Sequence, residues 1–183
     1  AARYLRKEFA LSREVKRATV HIAGMGLYEL FINGQRIGDQ VLAPAPTDYR
    51  KTILYNTYDV TPQLRKENAI GVTLGNGRFY TMRQNYKPYK IPTFGYPKLR
   101  LNLIVEYADG SKETIATNTS WKLTTEGAIR SNNEYDGEEY DARKELGNWT
   151  QSGYDDKSWI AAQRVSIPSG TLRAQIMPGM KVM

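Results

Sequence analysis

No cysteine occurs among the 183 residues, and histidine occurs once, as His21. The first absence excludes a disulfide framework, a thiolate zinc site, an iron–sulfur cluster and a cysteine nucleophile. The second excludes a histidine-rich metal cage or a two-histidine zinc motif. The compartment stays open, because exported proteins also do without disulfides. No apolar run approaches the roughly 20 residues that cross a bilayer as a helix, so no membrane partner is expected. The opening residues, Ala1-Ala2-Arg3-Tyr4-Leu5-Arg6, carry neither an initiator methionine nor an apolar signal core, which suggests a processed chain or a piece of a longer one.

What is present is the composition of a folded protein: 40% hydrophobic and 25% charged residues, at a length that suits one domain with a substantial core. Long amphipathic helices are missing, and short alternating apolar segments divided by turn residues take their place. Leu27 to Ile32 runs into Asn33-Gly34, the strongest short hairpin signal, since both central residues of a type I′ turn need positive φ. Thr19 to Ala23, Ile53 to Tyr58 and Ala69 to Leu74 read as further strands. Between the last two, Asp59 to Leu64 reads as a short helical turn with Thr61 as N-cap and Pro62 in the first helical position. Leu99, Leu101, Leu103 and Val105 alternate with Arg100, Asn102, Ile104 and Glu106 before Asp109-Gly110, which predicts a hairpin with one core face and a return strand over Lys112 to Ala116. Turn signals at intervals of about 8–12 residues predict an all-β sandwich or barrel. The stretch from Tyr80 to Tyr96, which also holds Pro88 and Pro92, lacks periodicity and reads as a long surface excursion.

Charge is unevenly placed. The net charge is +7, yet the window Asn132 to Glu145 holds six carboxylates against two basic residues, so it carries −4 and leaves +11 for the rest. Carboxylates beside Asn133 supply the hard oxygen ligands that suit Ca²⁺, although the EF-hand spacing is missing. The same groups accept hydrogen bonds from sugar hydroxyls, with Tyr135 or Tyr140 offering a ring for stacking. Other readings stay open: a solvated loop, an edge strand paired to Arg and Lys, or the acid and base of a glycosidase. Alternation places Asp136, Glu138 and Tyr140 on one strand face and Glu139 and Asp141 on the other.

The remaining candidates point to structure. Gly75-Asn76-Gly77 and Gly24-Met25-Gly26 lack phosphate-loop spacing and read as turns that require positive φ. Trp121, Trp149 and Trp159 read as core anchors at corners, with exposed stacking platforms the alternative. His21, flanked by Val20 and Ile22, reads as a surface or satisfied strand residue. The basic residues are spread along the chain without an aromatic RNA-binding motif, so no nucleic-acid partner is expected.

Taken in order, several segments resemble the N-terminal domain of bacterial α-L-rhamnosidases. They are Tyr4 to Phe9, Val15 to Gly24, Tyr28 to Asp39, Thr47-Asp48-Tyr49, Tyr58 to Thr61, Asn68 to Gly77 and Ser120-Trp121-Lys122. Tyr135-Asp136-Gly137-Glu138-Glu139-Tyr140-Asp141-Ala142-Arg143, Trp149 and Asp155 to Trp159 complete the series. The chain departs from the family pattern at Arg78, where an aromatic is common, and at Asn132-Asn133-Glu134, where Ser-Asp is common.

The resemblance implies a jelly-roll, galactose-binding-like β-sandwich with few short helical turns. It implies a domain that is not itself an enzyme and precedes an (α/α)₆ barrel holding the acid and base that hydrolyse terminal α-L-rhamnose. That barrel is then a partner in the same polypeptide, and L-rhamnose-containing glycan is the carbohydrate partner. For such a glycan-degrading enzyme a periplasmic or secreted location is expected. Some relatives bind rhamnose through Ca²⁺; here the sugar contacts would be Asn132, Asn133, Glu134, Tyr135, Asp136 and Glu138, with Asn133, Asp136 and Glu138 on the metal. The alternative is a purely structural module. Residues 1–166 are expected as one β-sandwich domain and 167–183 as a linker or the start of a following domain.

Overall fold

The structure, a computed structural model, describes residues 1–81, 93–166 and 168–182. It is an all-β sandwich. Its strands are β1 (Arg3–Ala10), β2 (Val15–Met25), β3 (Leu27–Ile32), β4 (Gln35–Ile37), β5 (Thr52–Asp59), β6 (Glu67–Gly75) and β7 (Lys98–Tyr107). They continue with β8 (Lys112–Ala116), β9 (Lys122–Thr124), β10 (Ile129–Asn133), β11 (Gly137–Tyr140), β12 (Ile160–Ala161) and β13 (Thr171–Ala174). One sheet has the order β12-β9-β1-β6-β3-β4 and the other β13-β5-β2-β7-β8, while β10 and β11 form a separate hairpin.

Alternation along the strands builds the core between the sheets. Leu101, Leu103, Val105 and Tyr107 of β7 and Val20 and Ile22 of β2 meet Leu5, Leu30, Ile32, Ile70, Val72 and Leu74 of the opposite sheet in one buried cluster. Each such side chain contributes about 1.5–3 kcal/mol by leaving water. The β3–β4 hairpin turns at Asn33 (φ 51°) and Gly34 (φ 82°), as the type I′ signal requires. Asn33 is also a fastener: its amide donates to Gln63 O (2.8 Å) and Asn68 Oδ1 (2.9 Å), and its Oδ1 accepts from Ala69 N (2.9 Å).

The helical turn after β5 begins one residue earlier than expected. Val60, not Thr61, is its N-cap, and the turn spans Thr61–Gln63. The capping oxygen comes from Asp59, whose carboxylate accepts from Thr61 N (3.0 Å) and Thr61 Oγ1 (2.6 Å). Thr61 Oγ1 is used elsewhere, accepting from Ala18 N (2.8 Å) and so tying the turn to β2.

Trp121, Trp149 and Trp159 are all buried. Trp121 sits at a corner shaped by Asn118, whose Oδ1 accepts from Ser120 N and Oγ (2.8 and 2.6 Å), and its indole N–H donates to Ala116 O (3.0 Å). His21 Nδ1 pairs with Thr57 Oγ1 at 2.9 Å across β2 and β5, a satisfied strand position.

Arg6, in the middle of β1, is 1% exposed. Its Nε donates to Trp149 O (2.9 Å) and its Nη2 to Gln151 O (2.9 Å) and Glu8 Oε1 (2.5 Å), while Nη1 pairs with Asp156. Tyr154 lies under the guanidinium at 5.3 Å. One cation thus holds the irregular 149–156 segment against the sheet.

The tail does not stop the sheet. Strand β13 pairs in parallel with β5, from Thr171 opposite Thr52 to Ala174 opposite Tyr55. Beyond it Met180 bridges to Val41. Of the Tyr80 to Tyr96 excursion, residues 82–92 lie outside the described residues.

Candidate functional site

The hairpin of β10 and β11 carries the acidic window, and the fold fixes it to one end of the sandwich. Gly26 closes the β2–β3 turn with φ 130° against the end of β6. There the Gly75-Asn76-Gly77 turn, with Gly77 at φ 49°, leads into a single turn over Gly77–Phe79, after which Tyr80 is extended. Asn76 donates from its backbone to Asn132 Oδ1 (2.6 Å) and from its side chain to Asn132 O (2.8 Å), while its Oδ1 accepts from Arg3 Nη1 (2.7 Å). Burial lowers the pKa of the Arg3 guanidinium, against the opposing effect of Tyr80 and Tyr96 nearby. At the root, Ala2 N donates to Ile129 O (3.0 Å) and Ile129 N to Tyr4 Oη (3.1 Å).

The tip of the hairpin is held from within. Asn133 Oδ1 accepts from Tyr135 N (2.8 Å) and Asp136 N (3.4 Å). Glu134 accepts from Arg78 Nη2 at 2.8 Å, and the Arg78 guanidinium lies 6.0 Å from the centre of the Tyr135 ring. Asn132 Nδ2 and Arg78 Nε are buried donors without an acceptor among the described residues. Strand β11 starts at Gly137, so Asp136 lies in the turn before it, off the strand face expected to hold it with Glu138 and Tyr140. Glu138 stands opposite Asn132 and Glu139 opposite Ser131. Asp141 leaves the hairpin altogether and caps the turn Ala142–Lys144, accepting from Arg143 N (3.1 Å).

Of the six residues expected at a sugar site, the structure therefore brings all to one hairpin but gives them different work. Asn132 and Asn133 spend their carboxamide oxygens on the backbone. Glu134, Tyr135, Asp136 and Glu138 are exposed. Arg3, Asn76 and Arg78 join them from more than fifty residues away in sequence, which no local pattern signals. For a metal, no group of three or more His, Cys, Asp or Glu side chains is gathered among the described residues, and Asn133 Oδ1 already accepts two N–H groups.

An aromatic base supports this end. Tyr49, Phe79 and Phe94 meet at 5.1–5.9 Å between ring centres, and Tyr80 stacks on the exposed Tyr96 at 5.2 Å. Burial, with a smaller push from Glu134, raises the Tyr49 phenol to about 12. A raised acid pKa favours the neutral fold, so this contribution is complete below the ordinary tyrosine value and is lost as pH climbs from about 10 to about 12, up to about 3 kcal/mol in all. Burial also raises Tyr4, Tyr28 and Tyr58, so Tyr49→Phe is expected to remove one phenol from the late part of an ultraviolet titration and to lessen, without abolishing, the loss of stability between pH 10 and about 12.

The family model described as "Alpha-L-rhamnosidase N-terminal domain" matches residues 13–183. An α-L-rhamnosidase of Formosa agariphila is 42% identical over 99% of this chain and 19% of its own length. Among solved structures, an α-L-rhamnosidase from Dictyoglumus thermophilum aligns over 97% of this chain and 19% of its own, with TM-score 0.88 and 47% identity. The α-L-rhamnosidase of Streptomyces avermitilis, solved with L-rhamnose, aligns over 100% of this chain and 18% of its own, with TM-score 0.90 and 37% identity. The chain spans about a fifth of the length of the relatives it matches. With a family model covering all but its first strand and the same fold recurring at the TM-scores above, the chain belongs to the α-L-rhamnosidase N-terminal domain family.

Proposed function

We propose that this chain is a non-catalytic module of a longer α-L-rhamnosidase, the hydrolysis of terminal α-L-rhamnose being done by a catalytic barrel elsewhere in the polypeptide, and that the β10–β11 end recognises L-rhamnose-containing glycan. One observation carries the reading. The hairpin stands outside both large sheets, yet Asn76 holds Asn132 just below its tip, so Arg78, Glu134, Tyr135, Asp136 and Glu138 are presented at a fixed position. Carboxylate oxygens accept hydrogen bonds from sugar hydroxyls, a guanidinium donates to sugar oxygens, and a tyrosine ring covers an apolar sugar face. The sugar is taken from the relatives, which are α-L-rhamnosidases, one of them solved with L-rhamnose.

A catalytic role for the same carboxylates is disfavoured by their exposure, because a general acid needs a sheltered carboxyl whose pKa is raised. Recognition is assigned to direct contact between protein and sugar, because the described residues gather no group of three or more acidic side chains that could hold calcium. Tyr135→Ala is expected to weaken L-rhamnose binding about tenfold, equivalent to ~1.4 kcal/mol, with the thermal midpoint unchanged because Tyr135 belongs to none of the three buried clusters. Calorimetric titration of the parent chain and of Tyr135→Ala measures the difference. Equal affinity in calcium and in chelator supports direct contact, and unchanged affinity in Tyr135→Ala contradicts the site.

A further inference from the structure

The last twelve described residues pair a firmly seated backbone with outward apolar side chains. Thr171 N donates to Lys51 O and Gln175 N to Tyr55 O (2.9 Å each), Gln175 Oε1 accepts from Ala45 N (3.0 Å), and Val41 N donates to Met180 O (2.8 Å). The tail so runs from the open edge of β5 to the 41–43 segment, where Ala43 bridges to Tyr28 of the other sheet, and seals one side of the sandwich. Apart from Gln175, whose side chain makes one of these bonds, and Lys181, which pairs with Asp39, the larger side chains of the tail point away from that seal. Leu172 is 42% exposed, Ile176 94%, Met177 55%, Met180 54% and Val182 82%, with Leu42 beside them at 55%.

Five of the eleven large apolar side chains exposed among the described residues thus fall within 171–182. A mobile polar tail would not be tied down at four points, and a self-sufficient edge strand would turn one face inward. All four residues of β13 are exposed on both faces. Leu42 is moreover held at φ 54°, a conformation unfavourable for leucine, with its side chain outward.

We propose that Leu42, Leu172, Ile176, Met177, Met180 and Val182 form the seat on which another part of the same polypeptide docks through an apolar surface, with a carboxylate placed opposite Arg173. The occupant is assigned to the same polypeptide because the matched relatives are about five times as long as this chain. Arg173 is exposed on β13 and forms no ion pair among the described residues, which sets the charge the docking surface must offer. The inference rests on family membership and not on sugar recognition, which uses the opposite kind of surface, polar and on the hairpin.

Hydrogen exchange on the full-length polypeptide and on this chain alone tests it. By the alternation of the ladder, Thr171 and Gln175 donate inward, so the amides of Leu172 and Ala174 face out. These two amides are expected to exchange at least tenfold more slowly in the full-length protein, and Ile176→Asp with Met180→Asp is expected to abolish the difference without changing the melting of the chain alone. Equal exchange in the two proteins overturns the proposal. Protection that vanishes on dilution also overturns it, because a second copy is then the occupant. L-rhamnose binding measured on this chain alone reports the hairpin separately, so either reading can fail without the other.

Discussion

Replacing Gly26 by alanine is expected to cost about 4 kcal/mol or more of folding stability, a size reserved for changes that break a backbone arrangement. A Cβ built there stands 2.2 Å from Gly75 O, and the residue sits at φ 130°, where L side chains are strained. Neither partner can yield cheaply, because Leu27 pairs with Gly75 in the β3–β6 ladder and the next residue, Asn76, holds the hairpin. The variant is therefore expected to lose rhamnose binding as well, although every side chain on the hairpin is intact. Urea unfolding measures the first effect; a loss under about 1 kcal/mol would show that the turn relaxes and that the Gly75–Asn76 corner is not rigid.

Arg6→Ala is the second large effect, at about 3 kcal/mol. Removing one partner of a buried ion pair typically costs about 3–5 kcal/mol, and the lower end applies because Glu8 and Asp156 are partly exposed and regain water. The larger share comes from Trp149 O and Gln151 O, which lose their donors, and from the space left beside Tyr154. Arg6→Lys is expected to recover little, because an ammonium cannot reach four acceptors arranged around a planar fork. The measurement is the denaturation midpoint together with proteolysis at 149–156; a variant that remains as stable and as resistant as the parent contradicts the role given to Arg6.

Features that depend on neighbours in sequence were legible in it. The Asn33-Gly34 turn, the alternation of β7 and the Trp121 corner follow from residues within a few positions of one another. Arg6 was not legible: in sequence it is one of many spread basic residues, and its burial depends on acceptors about 145 positions away. The acidic window was visible by its charge, but its use of Asn132 and Asn133 as backbone fasteners was not, since the Asn76 partner lies 56 residues off. Strand β13 was hidden for a different reason. Strand signals come from one buried face, and this strand has none, being added by main-chain bonds alone. The family resemblance supplied what local chemistry could not, the choice of a jelly-roll sandwich over a barrel and the expectation of a longer enzyme. It left the sugar site to be argued from the hairpin.

The claim that the hairpin end is a rhamnose-recognition surface is tested most directly by amide chemical shifts of the chain during titration with L-rhamnose. Saturable shifts confined to Asn76 to Arg78 and Asn132 to Glu138, reduced in Tyr135→Ala, are expected. Shifts that stay flat at millimolar sugar, or that gather away from the hairpin, would contradict it.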